Sequence, residues 1–349
     1  MTTQKHRLLE IDALRGISAA AVVIYHYTHR FGELYGHSFQ VPDWLHYGGA
    51  GVSLFFMISG FVIYWTISNC KYPLDFVWSR FSRLYPTYWL AVLLTFAMVH
   101  WVGLPGREVN NLQFLANLSM LQGFLNIKHV DGVYWTLCLE LSLYFWVLLI
   151  FTIGQLNRIE FWLMPWMLAA YAWEKYGMLE NPSVFLQNLL MIQHIGTFAV
   201  GILFYKIHAG QAQWSTYVAL LMALVLAQVR LTQTDALIIF GLALTLWLGI
   251  SGRGRWLTVK PLVRLGAISY PLYLLHQNMG YMVMRAGYKA GLPAAVNIAL
   301  ALIMAIFLAE LMHRFVETPS KDFLVKFYKG SAKCRHWAQT LSLGRALRH

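Results

Sequence analysis

Arg15 and His26 stand eleven residues apart, in the run from Ile11-Asp12-Ala13-Leu14-Arg15-Gly16 to Tyr25-His26-Tyr27. Eleven residues make about three turns of an α-helix, so both side chains share one face, roughly 16 Å apart along the axis. The segment between them, Ile17-Ser18-Ala19-Ala20-Ala21-Val22-Val23-Ile24, carries no charge and reads as membrane-embedded. A cation and an imidazole on such a stripe are costly and call for partners. A neutral imidazole can take a proton from a hydroxyl or attack an acyl carbon. Taken alone, His26 fits equally well a histidine hydrogen-bonded near a helix end. His29 lies one turn on, but no third ligand accompanies the pair, so no metal site is expected.

Other polar groups interrupt apolar segments further along the chain. Gly48-Gly49-Ala50-Gly51 and Ser59-Gly60-Phe61 open and continue the second apolar stretch. Such small residues let helices approach closely and leave room beside the backbone for a ligand. Arg80 and Arg83, in Arg80-Phe81-Ser82-Arg83-Leu84-Tyr85-Pro86, are one turn apart if helical. Their guanidinium forks suit phosphate, and with Arg15 they would make a cationic mouth. Glu140 lies about 8 Å deeper than the interface aromatic Trp135 at helical rise. It must be protonated, paired or turned to a polar cavity, which makes it a candidate partner for His26 or for a sugar hydroxyl. Ser269-Tyr270-Pro271-Leu272-Tyr273-Leu274-Leu275-His276 brings a second intramembrane imidazole, and Glu310, His313, Arg314, Glu317 and Pro319 close the series.

The elements that would position these groups are membrane helices. The 349-residue chain is 58% hydrophobic and only 12% charged, which excludes an ordinary soluble domain. Ten apolar stretches near the length of a span lie at about 11–30, 48–68, 85–104, 133–153, 159–175, 187–205, 213–230, 234–251, 267–285 and 294–314. The two flanking Thr232 could form one re-entrant unit. With the N-terminus inside, 19 of the 27 Lys and Arg residues fall on the cytoplasmic side and 7 outside. Both termini are therefore expected in the cytoplasm. The fold class expected is all-α: a polytopic bundle of about ten transmembrane helices over 1–319, then a basic cytoplasmic tail over 320–349. The net charge of +12 thus points to lipid headgroups rather than nucleic acid. Cys70, Cys138 and Cys334 have neither metal-like nor disulfide-like spacing. The first helix, interrupted by Arg15 and apolar past any cleavage site, does not read as a cleavable signal.

Together these residues resemble the membrane acyltransferase-3 family, transmembrane enzymes that modify bacterial surface saccharides. The family's Arg-x(10)-His signature is matched by Arg15 and His26, and its Ser-Gly-Phe segment by Ser59, Gly60 and Phe61. Its Arg-x-x-Arg element before a proline is matched by Arg80, Arg83 and Pro86, and its Trp-Thr-Leu…Glu element by Trp135, Thr136, Leu137 and Glu140. Its Ser-Tyr…Tyr-Leu…His element is matched by Ser269, Tyr270, Tyr273, Leu274 and His276, and its Glu-x-Pro by Glu317 and Pro319.

The resemblance implies a cytoplasmic acyl-CoA donor, acetyl-CoA first among them, and a saccharide acceptor at the outer face of a bacterial inner membrane. Arg15, Arg80, Arg83, Ser59, Tyr270 and His276 are then the expected donor-binding residues, with Ser59 and Tyr270 as polar lining or oxyanion donors. His26 would act as general base or acyl carrier, and Glu140 would orient it or hold the acceptor. Some relatives carry an extra extracytoplasmic hydrolase-like domain, so a separate partner protein is a further expectation. Polar groups within ten spans also suit a proton-coupled transporter or flippase, but no repeated pair of broken segments marks an inverted-repeat carrier. A glycosyltransferase using a lipid-linked sugar would call for a large charged outer loop. The longest one here, about 105–132, holds only Arg107, Glu108, Lys128 and Asp131.

Overall fold

The computed structural model describes residues 8–176 and 183–331, with the backbone alone at 228–230. Lys5, Arg7, Cys334 and the rest of the tail beyond Ser331 lie outside the described residues. Among those described no strand occurs. The helices are α1 (Leu9–Tyr25), α2 (Phe31–Tyr35), α3 (Gly51–Ser68), α4 (Pro73–Val102), α5 (Asn111–Leu118), α6 (Trp135–Thr152), α7 (Glu160–Tyr176) and α8 (Val184–Leu189). They continue as α9 (Ile195–His208), α10 (Trp214–Arg230), α11 (Gln233–Ile250), α12 (Lys260–Ala267), α13 (Ser269–Lys289), α14 (Ala294–Met312) and α15 (Thr318–Gly330). A helix occupies each of the ten expected apolar stretches. Among the described residues, five segments are long and apolar enough to cross a membrane: Asp43–Ser68, Pro73–Val102, Gly132–Thr152, Gln233–Ile250 and Ala294–Gly330.

Several expected boundaries change, each for a local reason. The first stretch is not one regular helix: α1 passes into a π turn over His26–Arg30 before α2 resumes. The Gly48–Gly51 region enters α3 through a 3-10 turn, Asp43–Ala50, that packs against α1. Pro73 sits in the first turn of α4, where its missing N–H is no loss, so Arg80 and Arg83 lie on the helix rather than in a loop. The stretch expected at 187–205 is broken between α8 and α9 at Met191, whose φ is +47°. Around Thr232 there are two helices. Thr232 caps α11 by accepting from the Asp235 N–H at 3.2 Å. Lys206 is buried in α9, where its Nζ meets Glu160 Oε2 at 2.5 Å.

The expected tail boundary at 319/320 falls inside α15. That helix is docked on the first turns of α4: Trp78 Nε1 donates to Leu324 O at 2.9 Å and Tyr328 Oη to Asp75 Oδ1 at 2.8 Å. Its exposed face carries Phe323, Phe327 and Lys321, a pattern suited to a headgroup layer.

Two contacts set the position of α1. A Cβ on Gly266 would lie 1.8 Å from Asp12 O, and one on Gly16 would lie 2.7 Å from Gly266 N, so α1 and α12 meet backbone to backbone. The partner of α1 on its other side is α13, which is polar for a buried helix. From Ser269 to Met282 every residue is buried, including His276, Gln277 and Asn278. Its polar groups are met from outside: Tyr27 Oη donates to His276 O at 2.7 Å, and Asn278 Nδ2 donates to Val130 O at 2.9 Å. The close α1–α12 crossing gives a direct expectation. Gly266→Ala should lower stability by about 1–3 kcal/mol, as overpacking does. Gly241→Ala, at a position with open space around it, should not. Thermal unfolding of the detergent-solubilised variants reads the difference.

Candidate active site

Two cavities lie along α1 and share Val52 and Tyr273 as common walls. The first, of about 740 Å³, gathers Arg15 from α1, Ser59 from α3, Arg80 and Arg83 from α4, Glu140 from α6 and Tyr270 from α13. Helical spacing explains the convergence on α4, where Arg80 and Arg83 are one turn apart and turn to the same side. Arg80 Nη2 donates to Thr66 Oγ1 at 3.1 Å, and its guanidinium lies 5.8 Å from the Phe76 ring centre. Its Nε is buried with no partner among the described residues. Among the described residues neither Arg15 nor Arg83 forms an ion-pair contact. Glu140, the one carboxylate on this cavity, accepts from Tyr144 Oη at 2.6 Å. Three guanidinium groups face one carboxylate on the cavity wall, with Asp12 and Glu317 also within electrostatic reach of Arg15. Guanidinium forks gathered in this way suit an anion, and phosphate oxygens match their geometry.

The second cavity, of about 1370 Å³, is lined by His26, Arg30, Arg107, Trp135, His194, Gln277 and others. Here the hydrogen-bond network assigns the protons. His276 Nδ1 lies 2.9 Å from Tyr273 O and 3.1 Å from Leu272 O, so it must carry hydrogen, because carbonyls only accept. His276 Nε2 is then a lone pair, and it faces His26 Nδ1 at 3.1 Å. His26 Nδ1 also lies 2.9 Å from Val22 O, so it too is protonated. In a neutral His26 the lone pair is therefore on Nε2, which has no partner among the described residues. The network holds a proton acceptor on the wall of a cavity. In the loop beneath, burial pushes the Asp131 carboxyl up to about 6, opposed by the Asn278 and Val133 N–H groups and by Arg107.

Comparison with known proteins fits this arrangement. Residues 8–314 match the acyltransferase domain of the acyltransferase-3 family. The chain belongs to that family. The O-acetyltransferase OatA of Staphylococcus aureus (strain NCTC 8325) is 22% identical over 373 aligned residues, 88% of this chain and 56% of OatA. The chain thus spans little more than half the length of that relative. The exopolysaccharide production protein ExoZ of Rhizobium meliloti is 43% identical over 61 residues, 17% of each chain. BcsY of Komagataeibacter xylinus, whose name describes a membrane-bound transacylase, is 26% identical over 303 residues, covering 78% of this chain and 72% of BcsY. No solved structure matches.

Within this acyltransferase-3 chain, the structure groups the expected residues differently from the sequence reading. Arg15, Arg80, Arg83, Ser59 and Tyr270 do line one cavity. Tyr270 Oη is committed to Leu84 O at 3.0 Å, so only its ring and a weak second acceptor face a ligand. Glu140 does not stand beside His26. It shares the cavity of the arginines, because its place on α6 turns it towards α4 rather than towards the π turn. The group that orients His26 is His276, expected among the donor-binding residues and in fact fully buried behind the His26 ring. Tyr144 was missed, although its spacing of four from Glu140 on one helix could have revealed it. Arg107 and Gln277 were missed as well. Gln277 adjoins His276 in a helix too polar to face lipid, which was a usable signal; a loop arginine gives none.

The tautomer assignment is testable. His276→Phe should lower turnover, and by less than His26→Ala does, with donor affinity unchanged. Steady-state rates and donor binding on the same preparations separate the two effects.

Proposed function

We propose that this chain transfers an acyl group, acetyl in the first instance, from cytoplasmic acyl-CoA to a hydroxyl of a cell-surface or lipid-linked saccharide at the outer side of a bacterial inner membrane. The observation that carries the reading is the pairing of a three-arginine cavity with a proton-accepting His26 Nε2 on an adjoining cavity, the two sharing Val52 and Tyr273 as walls. Family membership supports acyl transfer, and the names of OatA and ExoZ support O-acetylation and a polysaccharide setting.

Arg15, Arg80 and Arg83 bind the phosphates of CoA, and the pantetheine arm runs along α1 towards His26. His26 Nε2 takes the proton of the acceptor hydroxyl as its oxygen attacks the thioester carbonyl. A C–O bond forms, the C–S bond breaks, and the proton passes from His26 to the departing CoA sulfur. During this step His276 Nε2 accepts from His26 Nδ1–H and so stabilises the imidazolium. Glu140, held by Tyr144, limits the charge of the arginine cavity and spaces the guanidinium forks. A transient acyl-His26 is the alternative route through the same atoms, with the hydroxyl attacking in a second step. The topology that serves this division of labour has ten spans with both termini in the cytoplasm, and a separate extracytoplasmic protein would receive or present the acceptor.

Purified protein in nanodiscs should bind acetyl-CoA and release acetate slowly without acceptor. His26→Ala should keep the binding and lose the release, and Arg15→Ala should weaken binding by about tenfold or more. A well-folded wild type that binds no acyl-CoA would overturn the proposal. In intact cells of a variant without native cysteines, Ser38→Cys should react with a membrane-impermeant maleimide, and Ser331→Cys only after permeabilisation.

A further inference from the structure

The His26 cavity contains two polar groups that the acyl-transfer chemistry leaves unused. Gln277 is 4% exposed, and its Oε1 has no hydrogen-bond partner among the described residues. Its Nε2 reaches Tyr281 Oη at 3.5 Å, at the limit of a hydrogen bond. A buried carbonyl oxygen left in this state is unfavourable unless a ligand donates to it. Arg107 is half-buried, with its guanidinium 5.7 Å from the Tyr281 ring centre, and forms no ion pair among the described residues. The nearby acid, Asp131, is fully buried; Oδ1 accepts from the Val133 N–H at 3.2 Å and Oδ2 from the Asn278 N–H at 3.0 Å, and Arg107 acts on it electrostatically without an ion-pair contact among the described residues. Two further charged groups of the cavity have polar partners of their own. Arg30 pairs with Glu33 at 2.6 Å, and Asp235 accepts from Thr232 Oγ1 at 2.7 Å. Arg107 is thus the guanidinium fork on this cavity that makes no ion-pair contact among the described residues.

The two unused groups converge at Gly132. A Cβ there would lie 2.5 Å from Gln277 Oε1 and 2.9 Å from Arg107 Nη1, so the absence of a side chain is what lets both approach one point. Trp135 and His194, with ring centres 5.4 Å apart, supply aromatic surface on the same cavity. An acceptor oxygen, a cationic fork and aromatic faces together suit a sugar that offers a hydroxyl, an anionic oxygen pair and apolar C–H faces.

We propose that Arg107, Gln277 and Gly132 form an acceptor subsite for a saccharide bearing an anionic group. The inference rests on the reading of the chain as a saccharide acyltransferase and names the class of its acceptor. Two sources share the chemistry: the carboxylate of an acidic sugar, and the diphosphate that joins a sugar to a polyprenyl carrier.

Binding to the full chain in nanodiscs, measured without acyl donor, tests the subsite with three probes. They are an oligoglucuronate, its carboxyl-reduced neutral counterpart, and a polyprenyl-diphosphate-linked neutral disaccharide. At least one anionic probe should bind about tenfold or more tighter than the neutral oligosaccharide, and which one does so identifies the source. Arg107→Met should abolish that preference and leave the neutral probe unchanged, while Arg107→Lys should keep part of it. Gln277→Leu and Gly132→Ala should weaken all three probes, with thermal unfolding checking that each variant is folded. Equal binding of the neutral and both anionic probes, no binding of any probe to folded wild type, or an anionic preference untouched by Arg107→Met would each overturn the subsite. Acetyl-CoA binding on the same samples keeps the outcomes apart: saccharide binding without donor binding would uphold the subsite and defeat the acyl-CoA reading.

Discussion

A helix that is polar and yet buried must find its partners inside the protein, and α13 imposes that requirement on this bundle. Its carbonyl groups and side chains are answered by Tyr27, Tyr134, Val130, Val133 and Asp131, from α1's continuation and from the loop and 3-10 turn before α6. Tyr27 is the residue next to His26, so the bond that satisfies His276 O also sets the distance between the two imidazoles. Leaving such groups unpaired in an apolar interior costs more than most packing contacts return. The geometry of the histidine pair is thus inherited from the need to bury α13.

The same constraint separates two kinds of chemistry. One cavity gathers Arg15, Arg80 and Arg83, and the other places the His26 ring on a wall that also carries Arg30 and Arg107. Tyr273, on α13, forms part of both walls; its Oη is tied to Thr136 Oγ1 at 3.0 Å and its ring meets Phe55 edge-on. That shared wall keeps the three-arginine cluster of the first cavity apart from the His26 ring.

Much of this was legible in the chain. Arg15 and His26 announced themselves as costly groups on an apolar stripe, and the apolar stretches located the helices. Spacing along a helix gives depth, but azimuth depends on neighbours that sequence does not supply. That is why Glu140, expected as a partner of His26 or of a sugar hydroxyl, lies instead with the arginines. The contact between His26 and His276 joins residues 250 apart, a separation at which local pattern carries no information. Basic composition predicted a headgroup-facing tail, whereas the aromatic residues Trp78 and Tyr328, stacked with ring centres 5.5 Å apart, dock its first turns on α4.

The π turn at His26–Arg30 inserts one residue into what would otherwise be a continuous α-helix. Each residue of an α-helix advances the azimuth by about 100°, so the turn resets the rotational phase between the two ends of the element. The half bearing Arg15 can keep its facing while the half bearing Arg30 adopts another, and the reset falls at His26 itself. Restoring regular α-helical winding would swing Arg30 and the following residues around the axis without moving Arg15. The element thus has two independently set faces, and a one-residue change in length between them would matter more than most changes of side chain.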